Sequence, residues 1–278
     1  MIEVSGLTKE YGSIRAISDL NFTVKKGDVM GFLGPNGAGK TTTMRIITGY
    51  MPATEGTVKV AGFDVFEQPH EVKKRIGYLP ERPPLYPYMV VDAYLLHIAE
   101  LKGIPKNARK EAVERAIEKC ALKDVSKRLI GHLSKGYQQR VGIAQAIIHN
   151  PEVLILDEPT IGLDPRQIVE IRQMIKELAG EHTIVLSTHI LSEVSQICNS
   201  VIIINNGRIV ADNTIEGLSK VLGEDMIWKV KIKKDEHEDI LKAIMKIPGV
   251  VEVLPESTTF LEEAFLKLVE GNNSQNAL

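Results

Sequence analysis

The sequence predicts an α/β fold, because short apolar runs typical of strands alternate with segments of helical periodicity along most of the chain. Residues 153–156 and 183–186 are continuously apolar, as expected for strands that are covered on both faces of a sheet. A third apolar run, residues 29–33, leads into a glycine-rich turn, and a helical pattern follows over residues 41–47. We therefore expect these runs to be strands of one α/β core.

The middle of the chain interrupts this alternation. Residues from about 91 to 150 contain no convincing strand, and apolar residues such as Ala112, Ala116 and Cys120 recur at helical spacing between charged ones. We therefore expect a helical block inserted between two halves of the core. After the insert, residues 201–204 form a further predicted strand, which ends at an Asn-Asn-Gly turn.

The composition changes again near Glu224, where apolar residues begin to alternate with lysines. The pattern predicts a strand over 228–232, a helix over 235–247, a strand over 250–254 and a helix over 261–269. We expect two domains: residues 1–220, which contain the helical insert at about 91–150, and a small α+β accessory domain over residues 221–278.

The composition excludes several classes of protein. The chain has 278 residues with 34 Lys and Arg against 36 Asp and Glu, which gives a formal net charge of -2. This balance argues against non-specific binding to nucleic acid or to an anionic membrane surface. The 2 cysteines cannot form a disulfide framework or a zinc knuckle. Because we find neither a secretory signal nor a long apolar run, we expect a soluble protein of a reducing compartment, without a membrane span.

The strongest chemical signal is the glycine-rich turn itself, which matches the phosphate-binding pattern G-x-x-x-x-G-K-[ST]. Its residues are Gly34, Pro35, Asn36, Gly37, Ala38, Gly39, Lys40 and Thr41. Glycines let backbone N–H groups approach phosphate oxygens closely, and the start of the following helix adds partial positive charge. Lys40 is expected to reach the β- and γ-phosphates of a nucleoside triphosphate, and the Thr41 hydroxyl is expected to bind Mg²⁺.

Two carboxylates follow the apolar run at residues 153–156, where a triphosphate site requires a second anchor for Mg²⁺. We expect Asp157 to hold the metal, directly or through water. Glu158 points to the opposite side of the strand and could accept a proton from the attacking water. An acidic pair at a strand end is often only a solvated turn, but a preceding phosphate-binding loop favours the functional interpretation.

Further motifs make the chain resemble the ATP-binding cassette of ABC transporters over nearly all of residues 1–220. These motifs are Leu133-Ser134-Lys135-Gly136-Tyr137, Asp157-Glu158-Pro159-Thr160, Gly162-Leu163-Asp164-Pro165 and Ser187-Thr188-His189, in the order of the family. The resemblance implies a P-loop cassette core with an antiparallel β subdomain and an inserted α-helical subdomain. It also implies that ATP and Mg²⁺ bind, that ATP is hydrolysed, and that nucleotide contact extends to Thr42.

The resemblance also implies roles for residues outside the loop. Tyr11 falls where the family stacks an aromatic ring on adenine. Ser134 and Gly136 fall in the signature motif, whose helix faces the γ-phosphate bound by a second cassette. Asp164 lies in the loop that joins the two sites, and His189 is expected to hold the attacking water together with Glu158.

Three positions depart from the family pattern. Lys135 and Tyr137 replace a glycine and a glutamine of the usual signature, and Glu81 stands where a glutamine is expected to bind Mg²⁺. A carboxylate can replace an amide oxygen as a Mg²⁺ ligand. These departures resemble the branch of cassettes that serve separate export permeases for drugs, lipids or polysaccharides, including gliding-motility-like members. Residues 82–89, rich in proline and tyrosine, are a candidate contact with a permease or a plain turn.

The first hypothesis is therefore an ATPase subunit of an ABC exporter, which pairs with a second cassette and acts on a separate integral membrane permease. Such a subunit would be cytoplasmic and peripheral on the inner face of the cell membrane. One alternative is an ABC-type ATPase that acts on DNA or ribosomes, although its usual coiled-coil insertion or second cassette is not seen. Another alternative is a non-hydrolysing regulatory cassette. The transported substrate and the choice between homodimer and heterodimer stay open.

Overall fold

Two β-sheets organise the residues described by the computed structural model, which are residues 1–215, Gly217 and Ile244. The chain divides into two compact units, Met1–Ile215 and Glu216–Leu278. The strands and helices predicted for residues 221–278 lie outside the described residues, except for Ile244.

The first unit contains both helices and strands, as the sequence predicts. The described strands are β1 (Ile2–Tyr11), β2 (Ile14–Val24), β3 (Val29–Leu33), β4 (Glu55–Val60), β5 (Phe63–Asp64), β6 (Ile76–Leu79), β7 (Val153–Asp157), β8 (Thr183–Thr188), β9 (Ser200–Asn205) and β10 (Arg208–Thr214). The described α-helices are α1 (Lys40–Ile47), α2 (Pro69–Arg75), α3 (Val91–Leu101), α4 (Arg109–Lys119), α5 (Lys135–Ile147), α6 (Pro165–Ala179) and α7 (Leu191–Ile197).

A six-stranded sheet forms the centre of this unit, with strand order β10-β9-β3-β8-β7-β6. The pairs β3/β8, β3/β9, β7/β8 and β6/β7 are parallel, and β10 is the one antiparallel strand of this sheet. Every residue of β3, β7 and β8 is buried, which confirms the prediction of strands covered on both faces. Because neighbouring parallel strands end at the same edge, the residues that follow β3, β7 and β8 meet there.

The central sheet separates two hydrophobic clusters. Val153 and Ile155 of β7 pack into one cluster together with α1 and the antiparallel strands. Leu154 and Leu156 of the same strand pack into the other cluster together with the helices of the insert. This division follows from the alternation of side chains along a strand.

A second, antiparallel sheet has the order β2-β1-β4-β5 and confirms the β subdomain that the family resemblance implies. Its strand β2 lies against the glycine-rich loop. A Cβ atom built on Gly39 would stand 2.5 Å from Cγ2 of Ile17 and 2.9 Å from the carbonyl oxygen of Ala16. The antiparallel sheet therefore supports the phosphate-binding loop from one side.

The insert between β6 and β7 is helical, as predicted. It contains α3, α4, α5 and two short 3₁₀ turns, Lys123–Val125 and Ile130–His132. An isolated bridge between Val90 and Leu129 is the β contact recorded there outside the named strands. Among the described residues, no helix combines the length and the apolar character that crossing a membrane requires.

Helix α5 connects the insert to the central sheet through a close backbone contact. A Cβ atom on Gly77 of β6 would stand 2.2 Å from the carbonyl oxygen of Ala146 in α5.

We predict that Gly77→Ala lowers the free energy of unfolding by about 1–3 kcal/mol, because the backbone of α5 must shift. Chemical denaturation followed by circular dichroism measures this loss.

The matched control is Gly180→Ala, because the nearest atom to an added Cβ there is 3.7 Å away and the backbone is already right-handed helical. Equal stability of the two variants would contradict the close packing of β6 against α5.

Candidate functional site

Glycines shape the loop between β3 and α1, and each is required there either for its backbone conformation or for lack of space. Gly37 and Gly39 have φ angles of 80° and 106°, in the left-handed region that favours glycine. Gly34 is required for space, because a Cβ there would stand 2.3 Å from the carbonyl oxygen of Ile204. The loop therefore passes close to neighbouring backbone while it turns into α1.

Helix α1 begins at Lys40 without a side-chain cap and without an acidic residue in its first turn. The unpaired N–H groups of a helix start, with their partial positive charge, form an anion-binding site. Lys40 is only 6% exposed, and its Nζ donates hydrogen bonds to the carbonyl oxygens of Gly34, at 2.8 Å, and Pro35, at 3.2 Å. The ammonium group is thus folded back onto the loop that would surround a phosphate.

Asp157 ends β7 with a fully buried side chain. Its Oδ1 accepts hydrogen bonds from Oγ of Ser187, at 2.7 Å, and from Oγ1 of Thr41, at 3.4 Å. Within the described part of the chain, Oδ2 has no hydrogen-bond partner. Burial raises the pKa of Asp157, and the charges of Glu158 and Glu81 raise it further. A divalent cation fits here, because it would partner the unpaired oxygen and compensate for the buried charge.

Glu158 is held between two basic side chains. Its Oε1 lies 3.3 Å from Nζ of Lys40, and its Oε2 lies 2.9 Å from Nδ1 of His189. The backbone of Glu158 has a φ angle of 50°, a conformation that is uncommon for residues with a side chain and is found at functional sites. When Nδ1 donates its proton to Glu158, Nε2 of His189 is left as an acceptor.

The structure brings together five of the residues that the sequence marks as candidates: Lys40, Thr41, Asp157, Glu158 and His189. Ala38 is buried in the loop, Thr42 is half-buried and Asn36 is exposed. Glu81 is exposed after the end of β6, near enough for its charge to act on Asp157.

Tyr11 is 46% exposed at the end of β1. Its hydroxyl donates to Sδ of Met51 at 3.1 Å, and Nζ of Lys9 lies 5.4 Å from the centre of its ring.

The predicted residues Ser134, Gly136 and Asp164 lie at the starts of α5 and α6. Ser134 caps α5 by accepting from the N–H of Tyr137, and Asp164 caps α6 by accepting from the N–H of Gln167 at 2.9 Å. Gly136 packs against the Gln167 side chain. Among the described residues, no hydrogen bond or ion pair connects this group of helix starts to the phosphate-binding loop of the same chain.

The unusual Lys135 has a contact that the sequence did not indicate. An added Cβ on Gly162 would stand 2.1 Å from Nζ of Lys135, so the ammonium group lies directly over this glycine. Gly162 also has a φ angle of 66°, which favours glycine. The Lys135 side chain can therefore occupy this place only because residue 162 is a glycine.

Ser187 is a site residue that sequence reasoning missed, although it stands in the quoted motif before His189. Its partner is determined by strand pairing: Asp157 of β7 lies opposite Ser187 of β8 in the parallel register. In the sequence, Asp157 and Ser187 each directly follow an apolar run, at residues 153–156 and 183–186. The pairing of those two runs was not predicted.

A phosphate-binding loop, a buried metal-compatible carboxylate and a Glu–His pair at one sheet edge define a P-loop ATPase. The pattern that defines the ABC transporter family matches residues 17–161. The chain is 43% identical over 261 residues to the bacitracin transport ATP-binding protein BcrA of Bacillus licheniformis. The match covers 91% of this chain and 84% of BcrA. It is 39% identical over 207 residues to the ABC transporter ATP-binding protein NatA of Bacillus subtilis, and this match covers 74% of this chain and 84% of NatA.

Solved structures agree with this similarity. The structure of an ATP-binding subunit of an ABC transporter matches with a TM-score of 0.72 and 30% identity, covering 80% of this chain and 93% of that chain. The dimeric bacterial ABC transporter cassette MJ0796 matches with a TM-score of 0.70 and 25% identity, covering 77% of this chain and 99% of that chain. The chain belongs to the ABC transporter family. It is an ATP-hydrolysing subunit of such a transporter, which confirms the predicted fold, family and enzyme class.

We predict that Lys40→Met lowers ATP turnover by about 100-fold or more, because the substitution removes the ammonium group that is expected to bind phosphate oxygens. The methionine keeps the length of the side chain and removes its charge. Steady-state phosphate release measures turnover, and isothermal titration calorimetry measures ATP binding. Lys110→Met, on the exposed surface of α4, is the control. Turnover of the Lys40 variant equal to that of the control would contradict the assignment.

Proposed function

We propose that the chain powers export through a separate membrane permease, as one of two cassettes that close around two ATP molecules. The observation that carries the hydrolytic part is the position of Glu158 between Lys40 and His189, beside Asp157. The names of BcrA and NatA, which describe transport ATP-binding proteins, support the transport part. In this proposal the chain works at the cytoplasmic face of the membrane by docking on protein.

The phosphate-binding loop and Lys40 bind the triphosphate in the proposed mechanism. Lys40 would exchange its hydrogen bonds to the carbonyl oxygens of Gly34 and Pro35 for bonds to phosphate oxygens, which are stronger because the acceptor is then charged as well as the donor. Thr41 and Asp157 are the residues that would hold Mg²⁺, with Glu81 near them. Mg²⁺, when bound, neutralises charge that develops on the phosphate oxygens.

Glu158 is the proposed general base. Its Oε1 lies 3.3 Å from Nζ of Lys40, and this oxygen is occupied while the ion pair is kept. Phosphate oxygens that compete for Lys40 would free Oε1 of Glu158 to accept a proton from the attacking water. His189 remains bound to Oε2 through Nδ1 and keeps the carboxylate oriented.

A second cassette would complete each site. The starts of α5 and α6 lie side by side and present Ser134, Lys135 and Asp164, and a helix start attracts phosphate. The solved dimer of the MJ0796 cassette supports such pairing. In this proposal Lys135 adds a positive charge near the γ-phosphate bound by the other copy, as a substitute for the usual glycine.

A basic cavity beside β6 is the proposed contact with the permease. The cavity has a volume of about 240 Å³, and Tyr50, Tyr78, Lys73 and Lys102 line it. Tyr50 is 73% exposed, and Tyr88, in the proline-rich segment that follows β6, is 93% exposed. Lys102 is exposed as a whole residue, but desolvation of its ammonium group lowers its pKa, and the charge of Lys73 lowers it further. An acidic side chain of the permease would relieve this repulsion.

We predict that Glu158→Gln binds ATP with Mg²⁺ and accumulates as a closed dimer, because amide replacement removes the general base and the negative charge beside the γ-phosphate. Light scattering coupled to gel filtration measures the mass with and without ATP. Glu177→Gln, on the exposed face of α6, is the matched control and should elute as the wild type does. A monomeric Glu158 variant that still turns over ATP would refute the proposed role.

We predict that Lys73→Gln combined with Lys102→Gln reduces recovery of the integral permease when the tagged chain is purified from detergent-solubilised membranes. The reason is that the cavity loses the charge that an acidic partner would neutralise. Mass spectrometry quantifies the copurified membrane protein. Lys25→Gln combined with Lys26→Gln, in the exposed turn after β2, is the control. Equal recovery with both variants would exclude this cavity as the contact.

A further inference from the structure

A buried carboxylate in the first turn of α7 is hydrogen-bonded to both chain segments that carry the proposed hydrolytic pair. Glu193 is 0% exposed. Its Oε1 accepts from the hydroxyl of Thr160, and its Oε2 accepts from the hydroxyl of Thr188 at 2.7 Å. Thr160 follows Glu158 by two positions, and Thr188 directly precedes His189.

These contacts close a ring of interactions between the segment of residues 158–160 and the segment of residues 188–193. On one side, Nδ1 of His189 lies 2.9 Å from Oε2 of Glu158. On the other side, Glu193 connects Thr160 to Thr188. The two segments are thus joined through the hydrolytic pair and through Glu193, in addition to the backbone hydrogen bond from the N–H of Glu158 to the carbonyl oxygen of Ser187 at 2.9 Å.

The hydroxyl of Thr188 has a defined orientation within this ring. Its oxygen accepts from the backbone N–H of Ile190 at 3.0 Å while its hydrogen is donated to Glu193. Thr160 and Thr188 are 2% and 0% exposed, so water cannot replace the carboxylate as their acceptor. A carboxylate, with two acceptor oxygens, can serve both hydroxyl groups at once.

The burial of Glu193 is energetically unfavourable unless its charge is compensated. Nη2 of Arg172 lies 3.9 Å from Oε1, with side-chain exposures of 15% for Arg172 and 1% for Glu193. Apolar residues of similar size often replace buried ion pairs without loss of stability. A role in positioning accounts for a carboxylate at this place better than stability does.

We propose that Glu193 is a positioning residue for hydrolysis, which fixes the separation of Glu158 and His189 through Thr160 and Thr188. It contacts neither residue of the pair and acts through the backbone of the two segments. The proposal rests on the proposed roles of Glu158 and His189. A shift of about 1 Å between the pair would be enough to slow the proton transfer strongly.

The test removes one hydroxyl at a time. Thr160→Val and Thr188→Val keep the shape of the side chain and remove the donor to Glu193, whereas Thr160→Ser and Thr188→Ser keep the donor. We expect each valine variant to lower kcat at least about fivefold with KM for ATP within about twofold, and each serine variant to restore kcat. Thr183→Val is the control, because it removes a buried hydroxyl that accepts from Gly27 at the opposite end of β8.

A spectroscopic readout separates positioning from general destabilisation. In protein labelled with ¹⁵N in histidine, the ring nitrogen signals of His189, assigned with His189→Gln, report the hydrogen bond of Nδ1 to Glu158. We expect these signals to move in the two valine variants and to stay in place in Thr183→Val. If the valine variants do not fold, Glu193→Gln is measured in the same way.

Unchanged kcat or unchanged His189 signals in the variants of Thr160 and Thr188 would overturn the proposal. An equal loss of kcat in Thr183→Val would overturn it as well, because that loss would reflect destabilisation. Glu158→Gln separates this failure from failure of the proposed function. If Glu158→Gln is inactive while Thr188→Val is fully active, only the role of Glu193 is wrong.

Discussion

The parallel pairing of β7 with β8 is the constraint on which the active site depends. The register sets Asp157 opposite Ser187, so that Glu158 and His189 follow at the same sheet edge. Because β3 is the other parallel neighbour of β8, the phosphate-binding loop leaves the sheet at this edge too. A shift of one residue in the β7/β8 register would turn the Asp157 side chain to the opposite face of the sheet.

The site also depends on charges that exchange partners. Lys40 and Glu158 form an ion pair with side-chain exposures of 6% and 7%, where desolvation makes isolated charges unfavourable. Phosphate oxygens would replace Glu158 as the partner of Lys40, and a metal ion would partner the free oxygen of Asp157. In the proposed mechanism, substrate binding would thereby compensate for buried charge and free the Glu158 carboxylate to act as the base.

The sequence was sufficient for those parts of the site that are contiguous along the chain. The loop from Gly34 to Thr41 and the strand before Asp157 could be predicted because the motif and the apolar run each lie within a few residues. The bond from Ser187 to Asp157 could not, because it requires the strand order. The Glu193 contacts and the position of Lys135 over Gly162 likewise join segments that are distant in sequence, and no local pattern indicates them.

The central claim is that nucleotide binding takes Lys40 away from Glu158 and leaves the Glu158–His189 pair beside the γ-phosphate. A crystal structure of the chain with Mg²⁺ and a non-hydrolysable ATP analogue tests this claim most directly. We expect Nζ of Lys40 on phosphate oxygens, the metal beside Thr41 and Asp157, and Glu158 still bonded to His189. A bound nucleotide with Lys40 still paired to Glu158, or with the metal away from Asp157, would contradict the account.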